Sequence, residues 1–159
     1  MHLRRPTALL VALVAALPAL SACSASGRDA ATSQVNQIVM GTDNRDFEVD
    51  VLNAVIVAKA DGSGTFITTL VNNSSQTDNS MTALEGGQGL DVSTFSAIPI
   101  PARGLVNLAD SDSGIVVTGD FKLGQYVPLT VTLGDGTAIP VNTPVVPDSG
   151  YWTGLDQSA

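Results

Sequence analysis

The sequence contains very few of the side chains on which enzymes and metal sites most often depend. Its 159 residues include one cysteine, Cys23, and one histidine, His2. A disulfide bond within the chain is therefore excluded. Because residues 24–159 contain neither a thiol nor an imidazole, this part of the chain cannot supply a cysteine nucleophile, a Ser-His-Asp triad or the usual histidine-ligated zinc and copper sites.

Basic and aromatic side chains are scarce as well. The chain has 7 Lys and Arg residues against 15 Asp and Glu residues, and aromatic residues make up 4% of it. We exclude nucleic acid as a partner because phosphate binding needs a basic patch. The same acidic surface repels anionic lipid head groups. Few aromatic residues are present to stack on a sugar, and no pair of carboxylates stands out for glycoside chemistry.

Only one long hydrophobic run is present in the sequence. It covers residues 8–20, follows the basic residues Arg4 and Arg5, and precedes the small residues Ser21 and Ala22. A membrane-spanning helix needs roughly 20 apolar residues, so this run is too short to be one. A basic start, an apolar middle and small residues at the end are typical of a signal peptide, which we expect to cover residues 1–22.

The end of this segment resembles the lipobox of bacterial lipoproteins. Leu20, Ser21 and Ala22 precede Cys23, and in lipoproteins that cysteine is lipidated and becomes the new N-terminus. The resemblance implies a lipid such as palmitate on Cys23 and attachment to the cell membrane on its outer, extracytoplasmic side. One acyl chain holds a protein weakly, whereas two anchor it stably. The alternative is an ordinary signal peptide cut after Ala22, with Cys23 unmodified.

The composition after Cys23 predicts a tether, one domain and a tail. Residues 23–44 are mostly small and polar, as in a flexible linker. We expect the folded domain to cover residues 45–147 and the C-terminal tail to cover residues 148–159. The tail carries Tyr151 and Trp152, which either fold back over the open end of the domain, the arrangement we favour, or form a docking patch.

The sequence of the domain predicts short β-strands. Apolar residues alternate with other residues over 127–133, and a Gly-Asp-Gly turn follows at 134–136. A second hairpin is predicted by the turn sequence at 61–64 and the β-branched run at 65–71. Since no segment of the domain has the apolar stripe of a helix, six to eight strands with Gly- and Pro-rich turns favour an all-β sandwich or Greek-key barrel.

Two local features refine this prediction. The apolar phase of the first long strand is lost near Asn53, which indicates a bulge or the start of a second strand. Prolines interrupt two other strand segments, at Pro99 and Pro101 and at Pro140 and Pro144. Since proline cannot donate to a strand ladder, both segments are predicted to be edge strands or corners.

A short acidic segment resembles part of a calcium loop. Residues 110–114 read Asp-Ser-Asp-Ser-Gly, which places oxygen ligands two residues apart before a glycine. An EF-hand loop requires a bidentate glutamate at its twelfth position, and the twelfth residue counted from Asp110 is Phe121. We therefore interpret the segment as a solvated turn, and the sequence predicts no metal ligands, no cofactor and no catalytic residues.

Three segments, in order, resemble the periplasmic copper chaperone family, the PCuAC domains. Residues 98–108 (IPIPARGLVNL) are similar to the family's IPAGGTVEL segment. Residues 121–133 (FKLGQYVPLTVTL) resemble its L-K-x-G-x-x-V-P-L-T-L-T-F strand, and residues 64–78 resemble a strand followed by T-N-N-x-S-x-x-D. The resemblance covers about residues 52–146 and implies a cupredoxin-like, immunoglobulin-like Greek-key β-sandwich.

The copper ligands of that family do not carry over to this sequence. The family binds copper through two His-x-Met pairs, which would fall near Asp91-Val92-Ser93 and near Ile115-Val116-Val117. Neither stretch contains histidine or methionine. After removal of the signal peptide, the soft ligands that suit Cu(I) would be the thioethers of Met40 and Met81, and isolated methionines more often serve packing.

These observations lead to one preferred function and two alternatives. We expect a lipid-anchored binding or interaction module at the cell envelope, with a copper-chaperone-like scaffold, no catalytic activity and an unknown envelope protein as partner. The first alternative is a copper-handling chaperone that uses Met40, Met81 and oxygen ligands. The second is an enzyme, which the lack of histidine and cysteine disfavours.

Overall fold

The computed structural model describes residues 41–87, 89–111 and 113–158. The signal peptide, the lipobox with Cys23, and Met40 lie outside the described residues. Within the described ranges the strands are β1 (Thr42–Asn44), β2 (Val49–Ala60), β3 (Ser63–Asn72), β4 (Asn79–Gly86), β5 (Leu90–Val92), β6 (Ile98–Ile100), β7 (Leu105–Asn107), β8 (Val116–Gly119), β9 (Tyr126–Leu133) and β10 (Ala138–Pro147). A short 3₁₀ helix follows at Gly150–Trp152. No helix in these ranges is long and apolar enough to cross a membrane.

The strands form one curled sheet whose two halves enclose the main apolar core. The first half-sheet has the order β5-β8-β3-β2, with β1 and β7 paired to its strands, and the second has the order β10-β9-β4-β6. β10 joins the halves, since residues 138–144 pair antiparallel with β9 and residues 145–147 pair parallel with β2. The main core draws buried side chains from both halves, among them Ile56, Phe66, Met81 and Val131.

Both predicted hairpins are confirmed. β2 and β3 pair antiparallel around a turn in which Gly62 has a positive φ of 84°. β9 and β10 pair antiparallel around a turn in which Gly136 has a φ of 86°. Glycine adopts this left-handed conformation without the steric cost that a Cβ would bring. The turn residues therefore determine which strand segments are paired.

The irregularity near Asn53 is a bulge within β2. The register of β2 against β3 shifts between Leu52 and Val55, and Asn53 has a φ of 52°. Before the bulge, odd-numbered residues such as Val51 face the main core, and after it even-numbered residues such as Ile56 do. Thr68 stabilises the bulge, because its Oγ1 donates a hydrogen bond of 2.9 Å to the Leu52 carbonyl.

The folded domain begins before residue 45, so the predicted end of the tether at residue 44 is wrong. β1 pairs antiparallel with β2. Thr42 Oγ1 donates to the Asn142 carbonyl at 2.7 Å, and Asn44 Nδ2 donates to the Pro140 carbonyl at 2.8 Å. β1 has no apolar periodicity, and hydrogen bonds hold it in place.

β6 lies at an edge as predicted, and the part of β10 that carries Pro140 and Pro144 also pairs on one side only, with β9. Ile98–Ile100 pairs with β4 at the end of the sheet, and β10 gains its second neighbour, β2, only over residues 145–147. The prolines are tolerated because the carbonyls of Pro140 and Asn142 point towards β1, where side chains bind them. The nitrogen of Pro140 faces the same side of the strand, so no ladder hydrogen bond is lost.

Candidate functional site

The two stretches that the resemblance aligns with copper ligands lie side by side. β5 pairs antiparallel with β8, with Val92 opposite Val117 and Asp91 opposite Thr118. Just beyond β5, the Ser93 amide donates to the Val116 carbonyl at 2.8 Å. The Ser93 hydroxyl accepts a hydrogen bond from the Val116 amide at 2.9 Å. This site, which we call the β5–β8 ladder, is therefore one physical place in the fold.

The β5–β8 ladder presents aliphatic side chains to the core. Ile115 and Val117 are completely buried, and Val92 packs against the same cluster. Ser93 already accepts a hydrogen bond from the backbone. No group of three or more His, Cys, Asp or Glu residues in the described ranges is arranged to hold a metal ion.

Met81 belongs to the core and not to an open site. It lies on β4, has 0% of its surface exposed, and packs in the main cluster with residues of both half-sheets. A copper ion could reach its thioether only if the core opened. Of the two soft ligands in the copper-handling alternative, Met81 is therefore enclosed in the core. The other, Met40, lies outside the described residues.

The acidic segment at 110–114 forms a turn with its own internal hydrogen bonds. Asp110 Oδ2 accepts a hydrogen bond of 2.9 Å from Asn107 Nδ2. The Ser111 hydroxyl contacts the Leu108 carbonyl at 3.1 Å and the Ser113 hydroxyl at 2.9 Å. Asp112 lies outside the described residues. These contacts agree with the interpretation of the segment as a turn.

The C-terminal tail packs on the outer face of the first half-sheet and not over the open end of the sandwich, so the favoured prediction for Trp152 is wrong. Trp152 is only 4% exposed and forms a second apolar cluster with Val55, Val57 and Ile67. These three residues point away from the main core, which leaves an apolar face that needs a cover. The sequence pattern of β2 shows this face, because Val55 and Val57 alternate with core residues.

A buried carboxylate attaches the tail to the sheet. Asp156, which is 5% exposed, accepts hydrogen bonds from the Lys59 amide at 2.8 Å and from Thr65 Oγ1 at 3.2 Å. The Ser158 amide also donates to it, at 2.9 Å. Burial raises the pKa of Asp156, but the hydrogen bonds from Ser158, Lys59 and Thr65 together lower its pKa below the ordinary value of 3.8. We call this group of contacts the tail latch.

A second carboxylate shapes the tail itself. Asp148 accepts hydrogen bonds from the amides of Gly154 and Asp156. Lys59 Nζ lies 3.9 Å from the Asp148 carboxylate and donates to the Asp156 carbonyl at 3.0 Å. The tail therefore has a defined conformation where it meets the end of β2.

The tail and the sheet together form a cleft of about 320 Å³, which we call the C-terminal cleft. Its walls are formed by Asn53, Ile67, Thr68, Thr69, Asn107, Ala109, Asp110, Tyr151, Trp152 and Leu155. The Tyr151 ring is 79% exposed and meets the Trp152 ring edge-to-face, with centroids 4.9 Å apart and an interplanar angle of 87°. The only sequence signal for this site was the pair of neighbouring aromatic residues in a polar tail.

Two residues of the cleft leave buried polar atoms without a partner. In the described part of the chain, Trp152 Nε1 and Asn53 Oδ1 are among four buried side-chain atoms that make no hydrogen bond. Buried polar groups in native proteins are usually paired with protein or with bound molecules.

The fold is the cupredoxin-like fold of PCuAC domains, as the sequence resemblance implied. Three solved structures show it: "Copper-bound PCuAC domain from PmoF2" has a TM-score of 0.51 and 11% identity, and covers 67% of this chain and 98% of its own. "Apo PCuAC domain from PmoF1" has a TM-score of 0.52 and 11% identity, with coverage of 67% and 99%. "apo PmoF2 PCuAC domain" has a TM-score of 0.52 and 11% identity, with coverage of 69% and 98%.

These likenesses concern the scaffold. At 11% identity they show the fold and leave the activity open. None of the three structures is described as an enzyme. No protein-family model matches the chain, and no curated protein matches it either.

Proposed function

We propose that this protein is a lipid-anchored binding module on the outer side of the cell membrane, built on a PCuAC-like scaffold and without catalytic activity. The observation that carries the proposal is the β5–β8 ladder. At one of the two places that the sequence resemblance aligns with the family's copper ligands, this chain has Ile115 and Val117 packed into its core. The scaffold is retained while the chemistry of that place is apolar packing.

The mode of attachment follows from the sequence around Cys23. A lipid on that residue would hold the domain to the membrane, since the acidic surface offers no attraction to anionic head groups. Between Cys23 and β1, residues 24–41 would reach at most about 60 Å when fully extended. That length would let the domain contact envelope partners beyond the lipid surface.

A copper titration separates this proposal from the copper-handling alternative. The purified protein is titrated with Cu(I) against a competing chelator, beside the variants Met40→Leu and Met81→Leu. We expect no stoichiometric tight binding in any of the three proteins. Tight binding by the parent that Met40→Leu abolishes would favour the copper-handling alternative instead.

The anchor is tested by fractionation of Cys23→Ala beside the matched variant Ser24→Ala. We expect Cys23→Ala to be released from the membrane or left unprocessed, with the β-type circular dichroism spectrum of the domain unchanged. Ser24→Ala should fractionate like the parent. Processing and membrane attachment of Cys23→Ala that match the parent would contradict the lipid anchor.

A further inference from the structure

We propose that the free edge of β7 binds a second copy of this chain, with the two β7 strands antiparallel about a two-fold axis at Leu105. The inference goes beyond the proposed function, because it concerns contact between copies at a surface that the proposed function does not use. Its starting point is the backbone of β7. Within the described residues, β3 is the only strand that pairs with β7.

The backbone groups of β7 alternate between β3 and solvent. The Gly104 carbonyl accepts a hydrogen bond from the Asn72 amide at 2.9 Å. Further along, the Leu108 amide donates to the Thr68 carbonyl at 2.9 Å. In an antiparallel ladder only every second residue of a strand bonds to a given neighbour. The N–H and C=O groups of Leu105 therefore point away from β3, towards the open side of the strand.

Leu105 differs from the residues that usually protect a sheet edge. Natural edge strands are commonly blocked by lysine, by proline or by a bulge, and β6 carries Pro99 in this way. Leu105 is instead 63% exposed. It lies opposite Val71, which is partly exposed on the same face of the sheet. An exposed apolar side chain and free backbone groups therefore occur at one residue.

A two-fold axis at Leu105 makes this edge complementary to itself. The Leu105 amide of each copy then donates to the Leu105 carbonyl of the other, and the two leucine side chains lie beside each other. The axis lies at Leu105 and not at Asn107, because the Asn107 carbonyl already accepts the Asp110 amide at 3.2 Å. A contact of this isologous kind closes at two copies.

The charges near β7 support the same register. Antiparallel pairing about Leu105 places residue 103 of one copy opposite Asn107 of the other. Asn107 Nδ2 holds the Asp110 carboxylate at 2.9 Å, so the exposed Arg103 comes near Asp110 of the second copy, and symmetry repeats this pair. Among the described residues, neither Arg103 nor Asp110 takes part in an ion pair. The chain has a net charge of −8, and this register gives local attraction between copies that otherwise repel each other.

The first test measures self-association by sedimentation equilibrium. Pairing through one short strand forms a small interface, so we expect a weak dimer that appears between about 10 μM and about 1 mM protein. The whole chain with Cys23→Ala is purified in one detergent for every variant, so that residue 23 carries neither lipid nor thiol. Circular dichroism confirms that each variant is folded.

Charge reversal distinguishes the specific contact from general repulsion. Arg103→Glu and Asp110→Arg should each weaken the dimer at least about threefold, and the double variant should restore it. Asp110→Arg makes the chain less acidic, so general repulsion alone would make this variant associate more tightly. The matched control is Asp120→Arg, which makes the same change of charge after β8, where the chain pairs with the other end of β3. It should not weaken the dimer.

The second test is disulfide cross-linking in the Cys23→Ala background, where an introduced cysteine is the only thiol. Residues of a hydrogen-bonded antiparallel pair have Cα atoms about 5.5 Å apart, which lies within the range of about 4.4–6.8 Å for disulfides. Under a mild oxidant, Leu105→Cys should form a dimer at least about tenfold faster than Leu123→Cys. Leu123 is also exposed, at 40%, and lies outside β7. Each rate is corrected for the reactivity of that thiol towards iodoacetamide.

Three results would each overturn the β7 contact. They are a chain that stays monomeric up to about 1 mM, association that is the same in Arg103→Glu, Asp110→Arg and the parent, and equal cross-linking rates for Leu105→Cys and Leu123→Cys. The proposed function would stand after any of them, because these measurements involve neither copper nor the lipid. Failure of the anchor or copper experiment would revise the proposed function and leave the β7 contact in place.

Discussion

The tail latch gives the most direct prediction about stability. Replacing Asp156 by alanine removes the acceptor of the Lys59 amide and of the Thr65 hydroxyl, at 2.8 and 3.2 Å. Each buried donor left without a partner costs about 1–3 kcal/mol. We therefore expect Asp156→Ala to lower the free energy of unfolding of the tail by about 2–6 kcal/mol, at the lower end if water reaches the Lys59 amide.

The assay follows the tail and the sheet separately during urea denaturation. Fluorescence of the single tryptophan reports the release of Trp152 from Val55, Val57 and Ile67, and far-ultraviolet circular dichroism reports the sheet. In the parent we expect the two transitions to coincide. In Asp156→Ala the fluorescence transition should move to lower urea than the circular dichroism transition, because the tail loses its latch while the main core remains.

The control for this test is an aspartate outside the tail latch. Asp120→Ala removes an exposed carboxylate and should leave both transitions within about 0.5 kcal/mol of the parent. If Asp156→Ala shows coincident transitions and the same stability as Asp120→Ala, the hydrogen bonds of the latch do not hold the tail, and the reasoning fails.

The same carboxylate makes attachment of the tail pH-dependent. The pKa of Asp156 in the folded protein lies below its ordinary value of 3.8, so its contribution is fully present above the unfolded-state pKa. The contribution is lost as pH falls through the lower, folded pKa. We expect Trp152 fluorescence to report release of the tail in acid below about pH 4, and Asp156→Asn to remove that acid step. An unchanged acid step in Asp156→Asn would assign it to another group.

Three other buried or strained positions test the packing. Met81→Ala should lower the free energy of unfolding by about 2–5 kcal/mol because it empties part of the core. Met81→Leu should lower it by less than about 1.5 kcal/mol. Equal losses for the two variants in a urea titration would place Met81 outside the packed core. Asn53→Val should cost about 1–3 kcal/mol because a β-branched residue is strained at a φ of 52°, while Asn53→Gly should cost less in the same titration. Ile115→His should also lower stability, by more than about 2 kcal/mol, because it buries a polar ring; a variant as stable as the parent that also bound copper would contradict the packing role of Ile115.

Local signals in the sequence predicted much of the sheet. Gly62 and Gly136 supply the positive φ that their turns need, so the two hairpins could be recognised without knowledge of the rest of the chain. The bulge at Asn53 was visible because a one-residue insertion reverses which side chains face the core. In each case the determining contacts lie within a few residues along the chain.

Long-range contacts account for what the sequence did not predict. β1 is held by Thr42 against Asn142, which lies 100 residues further along the chain, and no periodicity within a three-residue polar strand reveals that contact. The prolines of β10 predicted an edge, and residues 138–144 do pair with β9 alone. They did not reveal that the open side faces β1, where side chains bind the carbonyls of Pro140 and Asn142. The placement of Trp152 depends on Asp156 reaching Thr65, 91 residues earlier, and so the cleft was not foreseen either.

Ile115 and Val117, which the sequence resemblance aligns with a His-x-Met pair, are both buried in the main core. Residues two apart share one face of a strand, so a His-x-Met pair aligned with Ile115 and Val117 would lie on the face that is completely buried here. Bringing that pair to a solvent-accessible metal would require a one-residue shift of register, which would move the aliphatic side chains out of the core.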